Sequence, residues 1–287
     1  MDLLKAAYPA LTLELQIVKT QGDVVQDAPL AKIGGKGLFT KELEQSLDAR
    51  EIDFAVHSLK DLPVELPAGL MLAAYLTREC PNDALVSKDR RKLSEIPRNG
   101  TIATGSLRRK CQLLRYRPDV QIVDVRGNIE TRLAKLTQNN WDGLILAYAA
   151  LQRLGKTEVI TEIIPAEVIY PAVGQGIIAV ECRTESAMAE FFAAINDHAA
   201  ETCAIAERAF LQGLGGGCQV PVGVISTIRQ GQLALAGVYL PEDGKYHLQE
   251  KIIFDAGQPR VAGERLAEKI SKKYHELRLP TNDTNSD

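Results

Sequence analysis

The chain has 287 residues, of which 45% are apolar and 25% charged, with a net charge of −3 at neutral pH. That length allows two or three ordinary domains with real cores, and the mix is that of a soluble globular protein. It excludes a strong overall pull on nucleic acid, so any basic patch must be local, and no apolar run approaches the roughly 20 residues of a membrane span.

The opening stretch, "MDLLKAAYPA", lacks the basic start and long apolar run of a signal peptide. Strand-like runs follow at 13–19, 52–58, 70–76, 83–87, 101–105, 121–125, 143–148 and 176–182, with helical patterns between several of them, such as 39–49 and 106–116. Strands alternating with helices imply an α/β fold with mostly parallel sheets covered on both faces. The turn-rich stretches "RECPNDA" (78–84) and "YPAVGQG" (170–176) are expected to be crossings between domains. After about residue 197 the pattern changes to a helix, a glycine loop, three strand-like runs and a last amphipathic helix, which predicts a small separate α+β domain.

The five cysteines, at 80, 111, 182, 203 and 218, are odd in number, far apart and free of CxxC pairs. They argue against a disulfide framework and against zinc, and no other metal site is evident. A reducing cytoplasm, or an organelle stroma after processing, fits such a chain. Four of these cysteines read as packing residues in strands or helices. Cys218 differs, because it follows three glycines in "LGGGCQVPVG" (214–223), a loop that leaves a thiol uncrowded.

Basic residues recur where strands end. "TIATGSLRRKCQLL" reads as a strand, a turn capped by Ser106, and a helix with Arg108 and Arg109 in its first turn. "DVRGNIETRLAKL" repeats the arrangement with Arg126, a cap at Asn128, and Arg132. "VHSLKDLP" ends another strand with Ser58, Lys60 and Asp61. Open α/β sheets bind ligands at the carboxyl ends of their strands. Arginine in a first helical turn works against the helix dipole, so an outside anion is expected to offset it. Arginine forks suit carboxylates or phosphates. The plainer alternatives are solvated surface arginines, an idle cysteine, and Asp61 as a helix N-cap. The loop "LAKIGGKGLFTKELE" (30–44) is not a Walker loop, which would need GxxxxGKS or GxxxxGKT, but suits a basic lid over an anionic ligand.

The motifs "AVHSLKDLP", "GSLRRKCQL", "RGNIETRL", "PAVGQG" and "LGGGCQVPVG" stand here in the order and spacing of hydroxymethylbilane synthase, also called porphobilinogen deaminase. The chain resembles that family over nearly its whole length from about residue 12. The resemblance implies three domains: residues 1–78 with 176–197, residues 79–175, and residues 198–287. The first two would resemble the domains of periplasmic ligand-binding proteins, and the third would carry the cysteine.

The resemblance also implies chemistry. Four porphobilinogen molecules are joined head to tail with loss of ammonia, on a dipyrromethane primer held by a thioether to Cys218. Asp61 matches the family's catalytic aspartate. Ser58, Lys60, Thr104, Ser106, Arg108, Arg109, Arg126 and Gly127 match positions that hold the primer. Arg132 and Arg153 match substrate-binding positions, with Lys32, Lys36 and Phe39 on the lid. A monomer without nucleic-acid or membrane partners is expected. The competing classes are a non-catalytic anion-binding protein, which Cys218 and the third domain disfavour, and a nucleic-acid binder, which the −3 charge and 5% aromatics disfavour.

Two departures from the family pattern stand out. Position 105 is glycine where serine is common. The family opens with a strand of the RxSxLAxxQ kind, whereas "MDLLKAAYPALTLEL" resembles the end of the helix after it. The expectation is that the first strand is absent, through an upstream start or a shortened product, and that the chain as written is poorly stable or weakly active.

Overall fold

The computed structural model describes residues 1–18, 20, 40–184, 187–216, 221–240 and 247–278. Helices α1 (Asp2–Ala7) and α2 (Lys41–Asp48) precede β1 (Phe54–Ser58) and β2 (Leu70–Tyr75). The chain then builds β3 (Asp83–Ser87), β4 (Thr101–Ala103), α3 (Leu107–Tyr116), β5 (Gln121–Val123), α4 (Ile129–Gln138), β6 (Gly143–Ala147), α5 (Tyr148–Arg153) and β7 (Glu162–Ile163). It returns through β8 (Ile178–Arg183) and α6 (Met188–Phe192) to α7 (His198–Gly213). Strands β9 (Val222–Arg229), β10 (Gln232–Tyr239) and β11 (Leu248–Asp255) and helix α8 (Pro259–Arg278) complete it.

These strands form three sheets, of order β1-β8-β2, β5-β4-β6-β3-β7 and β11-β10-β9. The mixed α/β class and the α+β character of the last part are as the sequence suggests. The parallel expectation needs correcting. In the second sheet β4 runs parallel to β5 and β6, but β3 is antiparallel to both β6 and β7. In the first sheet β8 is antiparallel to both β1 and β2. For β8 the cause is the excursion: the chain leaves after β2, builds the whole second sheet, and re-enters between β1 and β2 from the opposite end.

A second correction concerns the run at 13–19. Its described part, residues 13–18, forms no strand, and Leu15 and Ile17 are 71% and 83% exposed. An alternating run becomes a strand only where a neighbour takes its backbone hydrogen bonds, and among the described residues no strand pairs with it. Cys80 also departs from expectation, lying half-buried in the link between β2 and β3 rather than in a strand or helix.

The third sheet is a meander whose first hairpin turns through Gln230 and Gly231, with φ of 51° and 74°. Paired positive φ values match the twist of the strands they join. One face of this sheet packs on α7 and α8 through Phe210, Leu233, Leu235, Leu266 and Ile270. The fully buried Phe210 ring contributes about 2–3 kcal/mol. The other face meets α3 and the 170–176 crossing through Cys111, Tyr170, Ile225, Val238 and Leu240.

Candidate active site

Strand β1 runs straight into a single 3-10 turn, Leu59–Asp61. Leu59 and Leu62 are buried, and the Leu59 amide donates to the Ile177 carbonyl at 3.0 Å. The two leucines pin the turn and leave Lys60 half-buried and Asp61 exposed. Asp61 ends this turn, so the reading of it as a helix N-cap falls. Burial pushes the Lys60 ammonium below its ordinary pKa, Asp61 works against that, and Arg109, Asp83 and Arg108 act on it with their own signs. Lys60 is therefore the meeting point of β1 with the arginine helix.

At that helix, Ser106 caps α3, its Oγ accepting from the Arg109 amide at 3.4 Å, and the Ser106 amide donates to Thr104 Oγ1 at 3.2 Å. Arg108 and Arg109 are both buried. Arg108 Nη1 donates to Asp83 Oδ2 at 2.8 Å and also to the Tyr170 carbonyl. Arg109 donates from Nη2 to Asp83 Oδ1 at 2.7 Å and from Nη1 to the Ile145 carbonyl at 3.0 Å. A side chain of the same chain thus offsets one of these two positive charges, which leaves the expected outside anion only the remaining charge to answer at this junction. Burial would raise the Asp83 pKa, but the two guanidiniums overcome it and hold the carboxyl far below the usual carboxylate range. Gln175 Nε2 also donates to Asp83 Oδ1, at 2.9 Å.

The second junction is different. Asn128 caps α4, accepting from the Thr131 amide at 2.8 Å. Arg126 lies 3.3 Å from Asp124 Oδ2, and Arg132 Nε donates to the Gly127 carbonyl at 2.6 Å. Gly127 holds φ at 110°, which a side chain rarely adopts. Among the described residues Arg132 has no carboxylate within ion-pair distance. Burial, with Arg109 and Arg126 nearby, lowers its pKa, while Asp124 and Asp61 oppose the shift. Gly105 explains its own departure from the family pattern: a Cβ there would stand 2.7 Å from the Val125 carbonyl oxygen.

The structure therefore brings Ser58, Lys60, Asp61, Thr104, Ser106, Arg108, Arg109, Arg126, Gly127 and Arg132 to the ends of β1, β4 and β5. Arg153 donates to the Gly176 carbonyl at 2.6 Å, and burial lowers its pKa while Glu79 opposes the shift. Lys32, Lys36, Phe39 and Cys218 lie outside the described residues. Sequence reasoning missed Asp83 and Gln175. The available signal was an acidic residue opening an otherwise apolar strand, since a fully buried carboxylate is rarely unpaired.

The cluster suits a bound polycarboxylate. Among the described residues Arg109 Nε is buried without a hydrogen-bond partner, and Arg132 has no carboxylate within ion-pair distance. Fold and site together define an α/β protein with a cluster of cations at its strand ends, beside the exposed carboxylates of Asp61 and Asp124.

Comparison with known proteins makes this specific. Residues 1–190 match the family model described as porphobilinogen deaminase, dipyromethane cofactor binding domain, and residues 201–272 that of the porphobilinogen deaminase C-terminal domain. The porphobilinogen deaminase of Pelotomaculum thermopropionicum is 46% identical over 271 residues, covering 94% of this chain and 87% of that one. The enzyme so named in Syntrophomonas wolfei is 46% identical over 270 residues, covering 94% and 88%, and that of Synechococcus elongatus 47% over 271, covering 93% and 85%. The chain belongs to the porphobilinogen deaminase family. Its function is that of a hydroxymethylbilane synthase, a transferase of porphyrin biosynthesis with porphobilinogen as substrate and dipyrromethane as cofactor. The periplasmic aliphatic sulphonate binding protein SsuA from Escherichia coli also aligns, at 14% identity over 61% of this chain and 62% of that one, with a TM-score of 0.35 too low to carry an argument.

Proposed function

We propose that this chain builds hydroxymethylbilane with Asp61 as its catalytic carboxylate, Cys218 as the primer's covalent anchor, and the strand-end cations as carboxylate holders. The observation that carries this reading is the convergence of Asp61, Lys60, Arg109, Arg126 and Arg132 in one electrostatic cluster. Each porphobilinogen carries an acetate and a propionate, so the growing chain is a polyanion. Lys60, Arg126 and Arg132 with Arg108 and Arg109 offer it charge-assisted hydrogen bonds worth about 1.5–3 kcal/mol each. Ser58, Thr104 and Ser106 add neutral donors, and Gly127 lets the backbone come close. Arg153 and the lid residues Lys32, Lys36 and Phe39 complete the substrate's surroundings.

When bound, dipyrromethane supplies a nucleophilic pyrrole carbon for the first addition. Asp61 does the rest of the electrostatic work. As ammonia leaves porphobilinogen, positive charge develops on the substrate, and a fixed carboxylate stabilises it more in the transition state than before. The same oxygens can accept pyrrole N–H groups and move protons. Loading of the anchor balances without an oxidant: the S–C bond to Cys218 forms as the substrate's C–N bond breaks, and the thiol proton leaves with the amine as ammonia.

The three sheets support a division into domains at residues 1–78 with 176–197, 79–175 and 198–287. The chain is read as a monomer of the cytoplasm or a plastid stroma. Cys80, Cys111 and Cys203, which form no disulfide among the described residues, fit such a reducing place. The test is intact mass. Protein from cells that make porphobilinogen should exceed its sequence mass by one dipyrromethane unit, and Cys218→Ser, but not Cys111→Ser, should remove the increment. Folded parent protein at its bare sequence mass would sink the anchor assignment.

A further inference from the structure

The helix that carries Arg108 and Arg109 also seats the third sheet, and one buried side chain joins the two roles. Gln112 lies one turn after Arg108 on α3 and is 2% exposed. Its Oε1 accepts from the Tyr170 amide at 2.8 Å, and its Nε2 donates to the Tyr170 carbonyl at 3.3 Å. Arg108 Nη1 donates to that same carbonyl. Tyr170 in turn meets β9. A Cβ at Gly223 would stand 2.5 Å from Tyr170 Cβ, so only glycine lets the strand sit this close. The Val224 amide donates to the Pro171 carbonyl at 2.9 Å, and Gln249 Nε2 on β11 donates to the Tyr170 hydroxyl at 2.7 Å.

Strand β9 begins at Val222, four residues after Cys218 in sequence. The path Arg108–Gln112–Tyr170–Gly223 therefore sets how deep the start of β9 sits against the arginine helix. A primer bound covalently at one end and by its carboxylates at the other requires a fixed span between the two, and the chemistry assigned to Asp61 makes no use of Gln112 or Tyr170. We propose that Gln112 is a positioning residue for the primer, holding the strand after the anchor cysteine in register with Arg108. This rests on the reading of Cys218 as the anchor.

Two buried hydrogen bonds to one residue's backbone are a strong constraint, because their loss leaves a backbone N–H without its partner. The test follows primer uptake rather than turnover. Full-length protein is made in cells that produce no porphobilinogen, then given porphobilinogen, and its intact mass is followed at a temperature well below the melting midpoint. Gln112→Met, which fills the space but cannot make both bonds, should load about tenfold more slowly than the parent. Gln112→Glu keeps the acceptor toward the Tyr170 amide and should fall between the two. A merely structural role would lower the melting temperature and leave the loading rate of the folded protein unchanged. Parent-rate loading by folded Gln112→Met overturns the proposal. If that variant does not fold, parent-rate loading by Gln112→Glu does so. Loading of Cys218→Ser at the parent rate would instead overturn the anchor reading itself, so the two failures are told apart.

Discussion

Replacing Asp83 by asparagine tests the clamp on which the arginine helix depends. Asp83 is fully buried and accepts from Arg108 at 2.8 Å and Arg109 at 2.7 Å. The Asp83→Asn side chain has almost the same shape, but one of its two acceptors becomes an amide nitrogen facing a guanidinium. Two charge-assisted hydrogen bonds of about 1.5–3 kcal/mol each are weakened, and two buried cations lose their counter-ion. Breaking such a pair costs about 3–5 kcal/mol, a large share of the roughly 5–15 kcal/mol that holds a domain folded. The pH dependence has a definite sign. The folded Asp83 carboxyl lies well below its ordinary 3.8, so its contribution is complete above that value and is lost as pH falls through the folded value. The gap between parent and Asp83→Asn should therefore be full near about pH 7 and shrink below about pH 4. Urea unfolding midpoints across that range, on protein made without porphobilinogen, measure it. A neutral-pH gap below about 1 kcal/mol, or one that persists unchanged in acid, would refute the clamp.

Asp61→Asn should leave the melting temperature near the parent's, because the side chain is exposed, and lower turnover by several orders of magnitude, each worth about 1.4 kcal/mol of barrier. Steady-state rates within about threefold of the parent would show that its charge does no catalytic work. Arg132→Leu should behave oppositely to Asp83→Asn: it relieves repulsion from Arg109 and Arg126, so stability should hold while KM for porphobilinogen rises about ten- to a hundredfold. A collapse in melting temperature with unchanged KM would make Arg132 structural.

Much of this protein is local and was legible in the sequence. Ser106 and Asn128 cap their helices because a short polar side chain before a helical run can reach a free amide, whatever lies elsewhere in the chain. The strands at 83–87 and 143–148 were visible as apolar runs, and the ends of β1, β4 and β5 could be marked as cationic before any were placed. The motif resemblance added roles for Asp61 and Cys218 that no periodicity contains. What the sequence could not specify was which distant residue answers which. Arg109 looked like a free ligand for an outside anion, yet it already donates to Asp83, 26 positions earlier. The run at 13–19 had a strand's alternation, but strandedness needs a neighbour, and the described residues supply none. The sheet β1-β8-β2 joins strands more than a hundred residues apart, so its antiparallel centre depends on the route of the chain through the second sheet. Dihedral preferences and caps act over a few residues and are fixed by the local sequence. Pairing of charges and strands is a choice among many possible partners, and only the packed tertiary structure makes it.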